Sequence, residues 1–223
     1  MSLKGALAAF LLGSFTPSPG SMAPIETALS DAEEQAELRF SYTMTFEWPE
    51  AAPVTVRYDA AARDFTTIGG DPEALPRTAR QKLENVKRSE SKPGGLLYAD
   101  FRGYLDDITP VDETADQMIY SFIPSQVGED EMTAEGDAAV RARLYVDKAD
   151  AHLARYEVRG LQSFKPNPAT RMEEFVVEQD FERLGGDGPA VLVRMYSKQK
   201  GERFFRKVDT EFTATFSDFE KVE

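Results

Sequence analysis

The 223-residue chain contains no cysteine and only one histidine, His152. The lack of cysteine excludes disulfides, thiol nucleophiles and thiolate metal sites, and it excludes lipoprotein-type attachment through an N-terminal cysteine. A single histidine excludes multi-histidine zinc sites and makes any Ser–His–Asp chemistry depend on His152. Its neighbours Ala151 and Leu153 show no nucleophile-elbow pattern. We therefore interpret His152 as a turn residue.

Basic charge is scarce as well, since 26 Lys and Arg residues oppose 39 Asp and Glu, for a formal net charge of −13. This balance argues against general nucleic-acid binding and against attraction of the whole surface to anionic membranes. After residue 23 no run approaches the roughly 18 consecutive apolar residues that indicate a transmembrane helix, so the mature chain is expected to be soluble. No phosphate loop or dinucleotide fingerprint is present, and we expect no cofactor.

Acidic clusters are plentiful, but none has the pattern of a site. Neighbouring carboxylates such as Asp106 and Asp107 would point to opposite faces of a strand, which does not suit the paired carboxylates of a glycosidase. The acidic stretch 128–137 lacks the alternating Asp/Asn ligands and the final Glu of a calcium loop. We therefore predict no catalytic residue and no metal ligand, and an enzyme is the third of three functional alternatives.

The N-terminus has the three parts of a secretory signal. A basic start is followed by an apolar run at 5–15 and by a small-residue and proline stretch at 16–23. Cleavage after Ala23 predicts a periplasmic protein with one domain at 24–223. The alternative is a translation start at Met22, which would leave the protein in the cytosol.

Strand periodicity dominates the rest of the sequence. Between residues 36 and 48 every even position is apolar and every odd position is polar, which places one apolar face on a long strand. A similar closing strand is predicted from Phe204 through Phe212 and Phe216, all on one face. We predict a mainly β (α+β) fold, a large curved antiparallel sheet or half-open β-barrel of roughly eight to eleven strands.

The middle of the chain has helical spacing instead. One helix is predicted by Leu75, Ala79, Leu83 and Val86, and a second, shorter one by Tyr98, Phe101 and Leu105. Both follow the third predicted strand. Because a large one-sided sheet must cover its apolar face, we expect these two helices to lie on the concave side.

The order of segments in the second half carries a family resemblance. Phe122-Ile-Pro124 is followed by the acidic stretch, then by ARLYVD at 142–147 and LARYEV at 153–158, and the chain closes through FSDF at 216–219. This layout resembles the periplasmic lipoprotein carriers and their relatives, which include a class of mycobacterial lipoproteins and sensor-type regulators of envelope stress.

The resemblance implies a half-open antiparallel barrel with an apolar concave face and helices packed into its mouth. It also implies a lipid or acylated ligand. The arginine with which the carriers gate their lid has no matching position in this sequence, so no functional residue is carried over.

The apolar faces of the predicted strands supply candidate ligand contacts. These are Phe40, Tyr42, Met44, Phe46, Trp48, Leu144, Tyr156, Phe212 and Phe216. The alternative is that the same side chains are simply core beneath the helices. Tyr42 and Trp48 are the preferred contacts, because their polar edges suit the mouth of a cavity.

The stretch 77–92 is basic, with six Lys and Arg residues against two Glu. Its candidate contacts to a lipid headgroup or an acidic partner are Arg77, Arg80, Lys87 and Arg88. The alternative is an ordinary solvated helix face.

Two functions therefore remain ahead of an enzyme. The first is a non-catalytic periplasmic binding protein, or carrier, for a hydrophobic ligand that is a lipid or an acylated molecule. The second is an envelope interaction or sensor module without a small-molecule ligand, which would bind an envelope protein through an edge strand or the basic helix.

Overall fold

The structure is a computed structural model. It describes residues 20–90, 98, 101, 107–124, 126–127, 130–131, 139–186, 188–204 and 206–222. These residues form two α-helices, a short 3₁₀ turn at Pro72–Ala74 and thirteen strands. The helices are α1 (Ala23–Glu34) and α2 (Arg77–Glu90). The strands are β1 (Arg39–Glu47), β2 (Val54–Asp59), β3 (Asp64–Gly69), β4 (Thr109–Glu113), β5 (Gln117–Phe122), β6 (Gln126–Val127), β7 (Asp130–Glu131), β8 (Val140–Asp147), β9 (Leu153–Gly160), β10 (Phe164–Asn167), β11 (Thr170–Arg183), β12 (Ala190–Arg203) and β13 (Arg206–Val222).

Eleven strands form a single antiparallel sheet. Its order is β3-β2-β1-β13-β12-β11-β9-β8-β5-β4, with β10 paired to β11. The sheet is curved and does not close, since β3 and β4 lie at opposite ends of the order. The predicted fold class, a large curved antiparallel sheet with about two helices on its apolar face, is confirmed.

The alternation predicted for residues 36–48 builds β1. Phe40, Tyr42, Met44 and Phe46 are at most 6% exposed, whereas the next outward residue, Glu47, is exposed. A strand with this pattern is stable only with one face covered, because its side chains alternate between the two faces. The sequence therefore determines which face of the sheet becomes the concave, apolar one.

The opposite, convex face is held by ion pairs that cross the strands. The Arg155 guanidinium lies 2.6 Å from the Asp180 carboxylate, and Arg194 lies 2.9 Å from the same carboxylate on its other side. Arg159 pairs with Glu178 at 2.8 Å. Opposite charges on neighbouring strands stabilise a sheet modestly and keep this face hydrated.

The two helices cover the concave face at separate places. Helix α2 forms where it was predicted; it packs on β13 and buries Ala79, Leu83 and Val86. Helix α1 was not predicted, although its buried residues Ile25, Ala28, Leu29 and Ala32 have helical spacing. It packs on β8 and β9.

The prediction that the covering helices follow the third strand holds for α2, whereas the additional helix α1 precedes β1. Its apolar spacing directly follows the stretch interpreted as a signal sequence, where it was overlooked. The second helix expected near Tyr98, Phe101 and Leu105 falls mostly outside the described residues.

Residues just before α1 take part in the fold. The Tyr120 hydroxyl donates a 2.8 Å hydrogen bond to the Ser21 carbonyl oxygen, and Met22 packs against the core. A cut after Ala23 would remove both contacts, and the cleavage site stays a prediction. Within the described ranges, no helix is long and apolar enough to span a membrane.

The closing strand begins later than predicted. Phe204 was expected on the buried face, but it lies in the turn before β13 with a left-handed backbone (φ 49°) and is 66% exposed. Burial on this strand starts at Thr210 and continues through Phe212, Ala214 and Phe216. The predicted alternation is present, but its first members lie past the end of β1, where β13 no longer has that strand as a neighbour.

Candidate functional site

The strand register arranges the concave face into rows. One row runs across seven strands of the sheet and another runs beside it, and neither contains a charged side chain. The first row is Phe46, Ala214, Met195, Gln179, Tyr156, Leu144 and Tyr120. The second row is Phe212, Ser197, Val177, Val158, Ala142 and Phe122.

The structure brings all nine predicted ligand contacts into one hydrophobic core. Seven of them are at most 6% exposed: Phe40, Tyr42, Met44, Phe46, Leu144, Phe212 and Phe216. Trp48 and Tyr156 are half-buried. Contact with a ligand stays a prediction for each of them. The burial shows that the β1 stripe is closed in this conformation and that Tyr156 lies at a more open place.

That open place lies in the middle of the concave face, on β9, β11 and β12. Tyr156, Val177, Val193 and Met195 are half-buried there and pack against the core with part of their surface uncovered. Helix α1 packs on β8 and β9, and α2 packs on β13. This central strip, as we call these four residues, therefore lies between the two helices.

Three polar side chains interrupt the apolar face beside the central strip. Gln179, Ser197 and Gln199 alternate with outward-facing residues and so point to the concave side. None of the three side chains forms a hydrogen bond in the part of the chain that the structure describes. Ser197 is only 6% exposed, while both glutamines are half-buried.

Sequence reasoning missed these three residues. The available signal was Gln179 between Val177 and Phe181, where an amide replaces an apolar residue on a buried strand. Recognising that all three meet required the register between β11 and β12, which the sequence alone does not give.

The Tyr42 hydroxyl is a further polar group in an apolar environment. The Tyr42 side chain is fully buried, and its hydroxyl has no hydrogen-bond partner. Burial, and then the negative charge of nearby Glu90, raise the pKa of the Tyr42 hydroxyl. Its ring packs against Tyr58, with 5.1 Å between centroids, and against Phe65 at 6.2 Å. A buried hydroxyl without a partner carries a desolvation cost that phenylalanine would avoid.

We therefore expect Tyr42→Phe to stabilise the protein by about 1 kcal/mol, which corresponds to a rise of about 2–4 °C in Tm for a domain of this size. Thermal unfolding followed by circular dichroism measures it. The matched control is Tyr120→Phe, which removes the bond to the Ser21 carbonyl and should cost about 1 kcal/mol. A lower Tm for Tyr42→Phe would show that the hydroxyl has a stabilising partner.

The four predicted contacts of the basic helix lie on α2, on the sides that face away from the core. Arg80 forms an ion pair with Glu73, and Lys87 pairs with Glu84 at 2.9 Å. The Lys87 ammonium also lies 5.3 Å from the Phe65 ring centroid. Arg77 and Arg88 are exposed. Arg80 and Lys87 each pair with a glutamate, which is usual for a solvated helix face. Binding of these residues to headgroups or to a partner stays a prediction.

His152 lies in the turn between β8 and β9. Its Nδ1 is 2.5 Å from an oxygen of Asp150, and the ligand atoms of Asp147, Asp150 and His152 all lie within 4.8 Å. Arg183 binds the other Asp150 oxygen at 3.1 Å. Although partial burial opposes it, the hydrogen bond from His152 and the charge of Arg183 lower the pKa of the Asp150 carboxyl. Arg183 supplies one positive charge against the two carboxylates of this cluster, and it also lies 3.5 Å from the Asp31 carboxylate.

Two polar clefts lie away from the central strip. One, of about 350 Å³, is on the convex face and is lined by Gln117, Tyr145, Ala154, Arg155 and Asp180. The other, of about 210 Å³, lies between β3 and α2 and is lined by Asp64, Phe65, Glu84, Lys87 and Arg88. Charged side chains in both already pair with one another, so neither suits an apolar ligand.

Comparisons with known proteins do not assign the chain to a family. No protein-family model matches the chain, and no curated protein does. A solved structure of a DUF1329 family protein from Desulfovibrio piger is similar over 88% of this chain and 92% of that one, with 11% sequence identity and a TM-score of 0.32. A likeness at that level carries no argument about function.

Proposed function

We propose that the protein is a non-catalytic periplasmic binding protein for a hydrophobic ligand, a lipid or an acylated molecule, which it holds on the central strip. The observation that carries the proposal is the set of polar side chains without hydrogen bonds, Gln179, Ser197 and Gln199, beside half-buried apolar residues on the concave face. A site for an amphiphile needs both kinds of surface.

The apolar part of the proposed site consists of neighbouring side chains on β9, β11 and β12. Met195 and Tyr156 flank Gln179 in one row, and Val177 lies in the next. The Phe101 ring lies 4.5 Å from the Tyr156 ring and adds an aromatic wall. Covering this surface with an alkyl chain contributes about 25 cal/mol for each Å² removed from water. A ligand that covers the half-buried side chains Tyr156, Val177 and Met195 would gain most of its affinity this way.

The polar part selects an uncharged group. The two rows contain amide and hydroxyl side chains but no Lys or Arg, while Arg155, Arg159 and Arg194 lie on the convex face. An anionic headgroup placed here would be desolvated without a cation beside it, which is costly. An ester, an amide or a hydroxyl would instead hydrogen-bond to Gln179 and Ser197 at little cost.

The first test is native mass spectrometry of protein prepared from the periplasm without detergent. We expect a bound mass that organic solvent extracts as a lipid. In addition, a monoacylglycerol should bind about tenfold more tightly than the fatty acid of the same chain length, because only the acid carries an unpaired charge. A protein that is free of ligand and binds neither amphiphile would contradict the proposal.

Gln179→Leu tests the polar contact. We expect it to weaken monoacylglycerol binding by about tenfold and to leave the Tm unchanged or raised, because the lost amide makes no internal hydrogen bond. The matched control is Gln162→Leu, the same exchange at an exposed position, which should bind as the parent does. Equal loss in both variants would place the site elsewhere.

A further inference from the structure

The hairpin tip between β12 and β13 lies at one end of the sheet, beside the turn between β10 and β11, where the Ala169 carbonyl oxygen accepts a 2.8 Å hydrogen bond from the Phe204 N–H. The pairing of β1 with β13 ends at Glu47 opposite Thr213, although β13 begins at Arg206. The seven residue steps from Arg206 to Thr213 carry the tip about 23 Å past the end of β1, at about 3.3 Å per residue. At its point is Phe204, which is 66% exposed.

The tip is basic in an acidic protein. From residue 200 to 207 it holds four basic residues and one acidic residue, a net charge of +3 against −13 for the whole chain. The basic residues are Lys200, Arg203, Arg206 and Lys207, and all are exposed. None of them forms an ion pair with another described residue. The nearest pair on this strand is Lys198 with Glu174, at 2.9 Å.

Two features of the tip oppose folding. Arg203 and Arg206 lie directly opposite each other in the β12–β13 register, where like charges destabilise a sheet. Phe204 has a positive φ of 49°, a conformation that favours glycine or asparagine and is strained for a bulky side chain. The Phe204 side chain is exposed, so its packing does not offset the strain of its backbone. Unfavourable local choices of this kind concentrate at functional sites.

We infer that this tip docks the protein on an anionic phospholipid surface. Phe204 inserts into the interface between headgroups and acyl chains, and the four basic side chains contact the phosphates. Each basic residue near such a surface contributes favourably, and one aromatic residue adds the apolar anchor that charge alone lacks. The Arg203–Arg206 repulsion, which has a cost in water, is relieved when both guanidinium groups face phosphate. The net negative charge of the rest of the chain keeps other orientations away from the membrane.

Co-sedimentation of the full chain with vesicles tests this inference. We expect binding to vesicles of phosphatidylglycerol and phosphatidylcholine, little binding to pure phosphatidylcholine, and loss of binding as salt is raised. Phe204→Asn, which suits the left-handed backbone, and the pair Arg203→Glu with Arg206→Glu should each lower the vesicle partition constant by about tenfold. The control Ile68→Ser, at an apolar residue of edge strand β3 that is 58% exposed, should bind as the parent does.

A fluorescence measurement locates the contact. Trp48 is the one tryptophan in the chain, so Trp48→Phe combined with Phe204→Trp leaves a single reporter at the tip. We expect its emission to shift to shorter wavelength with anionic vesicles. Sedimentation without that shift, or binding that is equal in parent and charge-reversed protein, would overturn the inference. So would binding of the tip to an acidic protein but not to vesicles. The test needs no bound ligand, so it is independent of the proposed function.

Discussion

Phe46→Ala should lower the free energy of unfolding by about 3–5 kcal/mol, the range measured when a buried aromatic residue is truncated to alanine. Phe46 is fully buried, pairs with Val54 and Ala214 on the neighbouring strands, and stacks on Phe212 with 5.3 Å between ring centroids. Natural domains have a total stability of about 5–15 kcal/mol, so the loss is a large part of it. Urea unfolding measures it as a lower midpoint with an unchanged slope.

The matched control is Phe204→Ala, the same truncation at a 66% exposed position, which we expect to change the unfolding free energy by less than about 0.5 kcal/mol. The comparison also decides between the two interpretations of the β1 stripe. A core residue shows the full loss. If Phe46 lined a ligand cavity, truncation would enlarge existing space at little cost, and a loss below about 1 kcal/mol would support that interpretation.

Gly201→Ala should be the second severe substitution, with a cost on the order of 3 kcal/mol, because the added methyl meets backbone rather than a movable side chain. A Cβ at Gly201 would lie 2.0 Å from the Arg171 carbonyl oxygen and 3.0 Å from the Met172 Cα. The register between β11 and β12 shifts at this point, since Met172 pairs with Gly201 and Glu174 with Lys200. Glu173 is thus an extra residue that forms a β-bulge in β11, and Gly201 allows the two backbones to approach closely there.

Gly69→Ala is the control for that experiment. Its Cβ would meet Thr55 at 3.4 Å, an ordinary contact distance, and we expect an effect within about 0.5 kcal/mol. Thermal unfolding of both variants distinguishes them. If Gly201→Ala unfolded with the Tm of the parent, the backbones of β11 and β12 would have to move apart at the bulge without loss of stability. The close approach at Gly201 would then not constrain the structure.

Sequence patterns predicted burial and helix formation correctly where the residue types of a single segment determine them. The even positions of β1 are buried because each alternates with a polar neighbour, and α2 forms because Leu83 and Val86 continue a helical stripe. They did not predict features that depend on how a strand pairs with its neighbour. The bulge at Glu173 and the meeting of Gln179 with Ser197 are properties of register, and a slip of one residue would send Gln179 to the convex face.

The candidate site was predicted in part for the same reason. Sequence patterns identified the concave face, and Tyr156 among its residues lies on the central strip. They gave no measure of how tightly the helices close over β1, so Tyr42 and Trp48 could not be distinguished, although one is fully buried and the other half-buried. Phe204 was assigned to a buried strand because alternation continues across the turn, and only the left-handed backbone at the hairpin reveals its exposure.

The order of the strands has a consequence for how the chain folds. β13 follows the other described strands in the sequence, yet it lies between β1 and β12, and among the described strands it alone connects β1–β3 to the rest of the main sheet. β1–β3 therefore cannot join the rest of the sheet until β13 is available. Such long-range pairing makes folding slow. Until β13 pairs, the edge of β1 that faces the rest of the sheet stays unpaired, and an unpaired strand edge can pair with another chain instead.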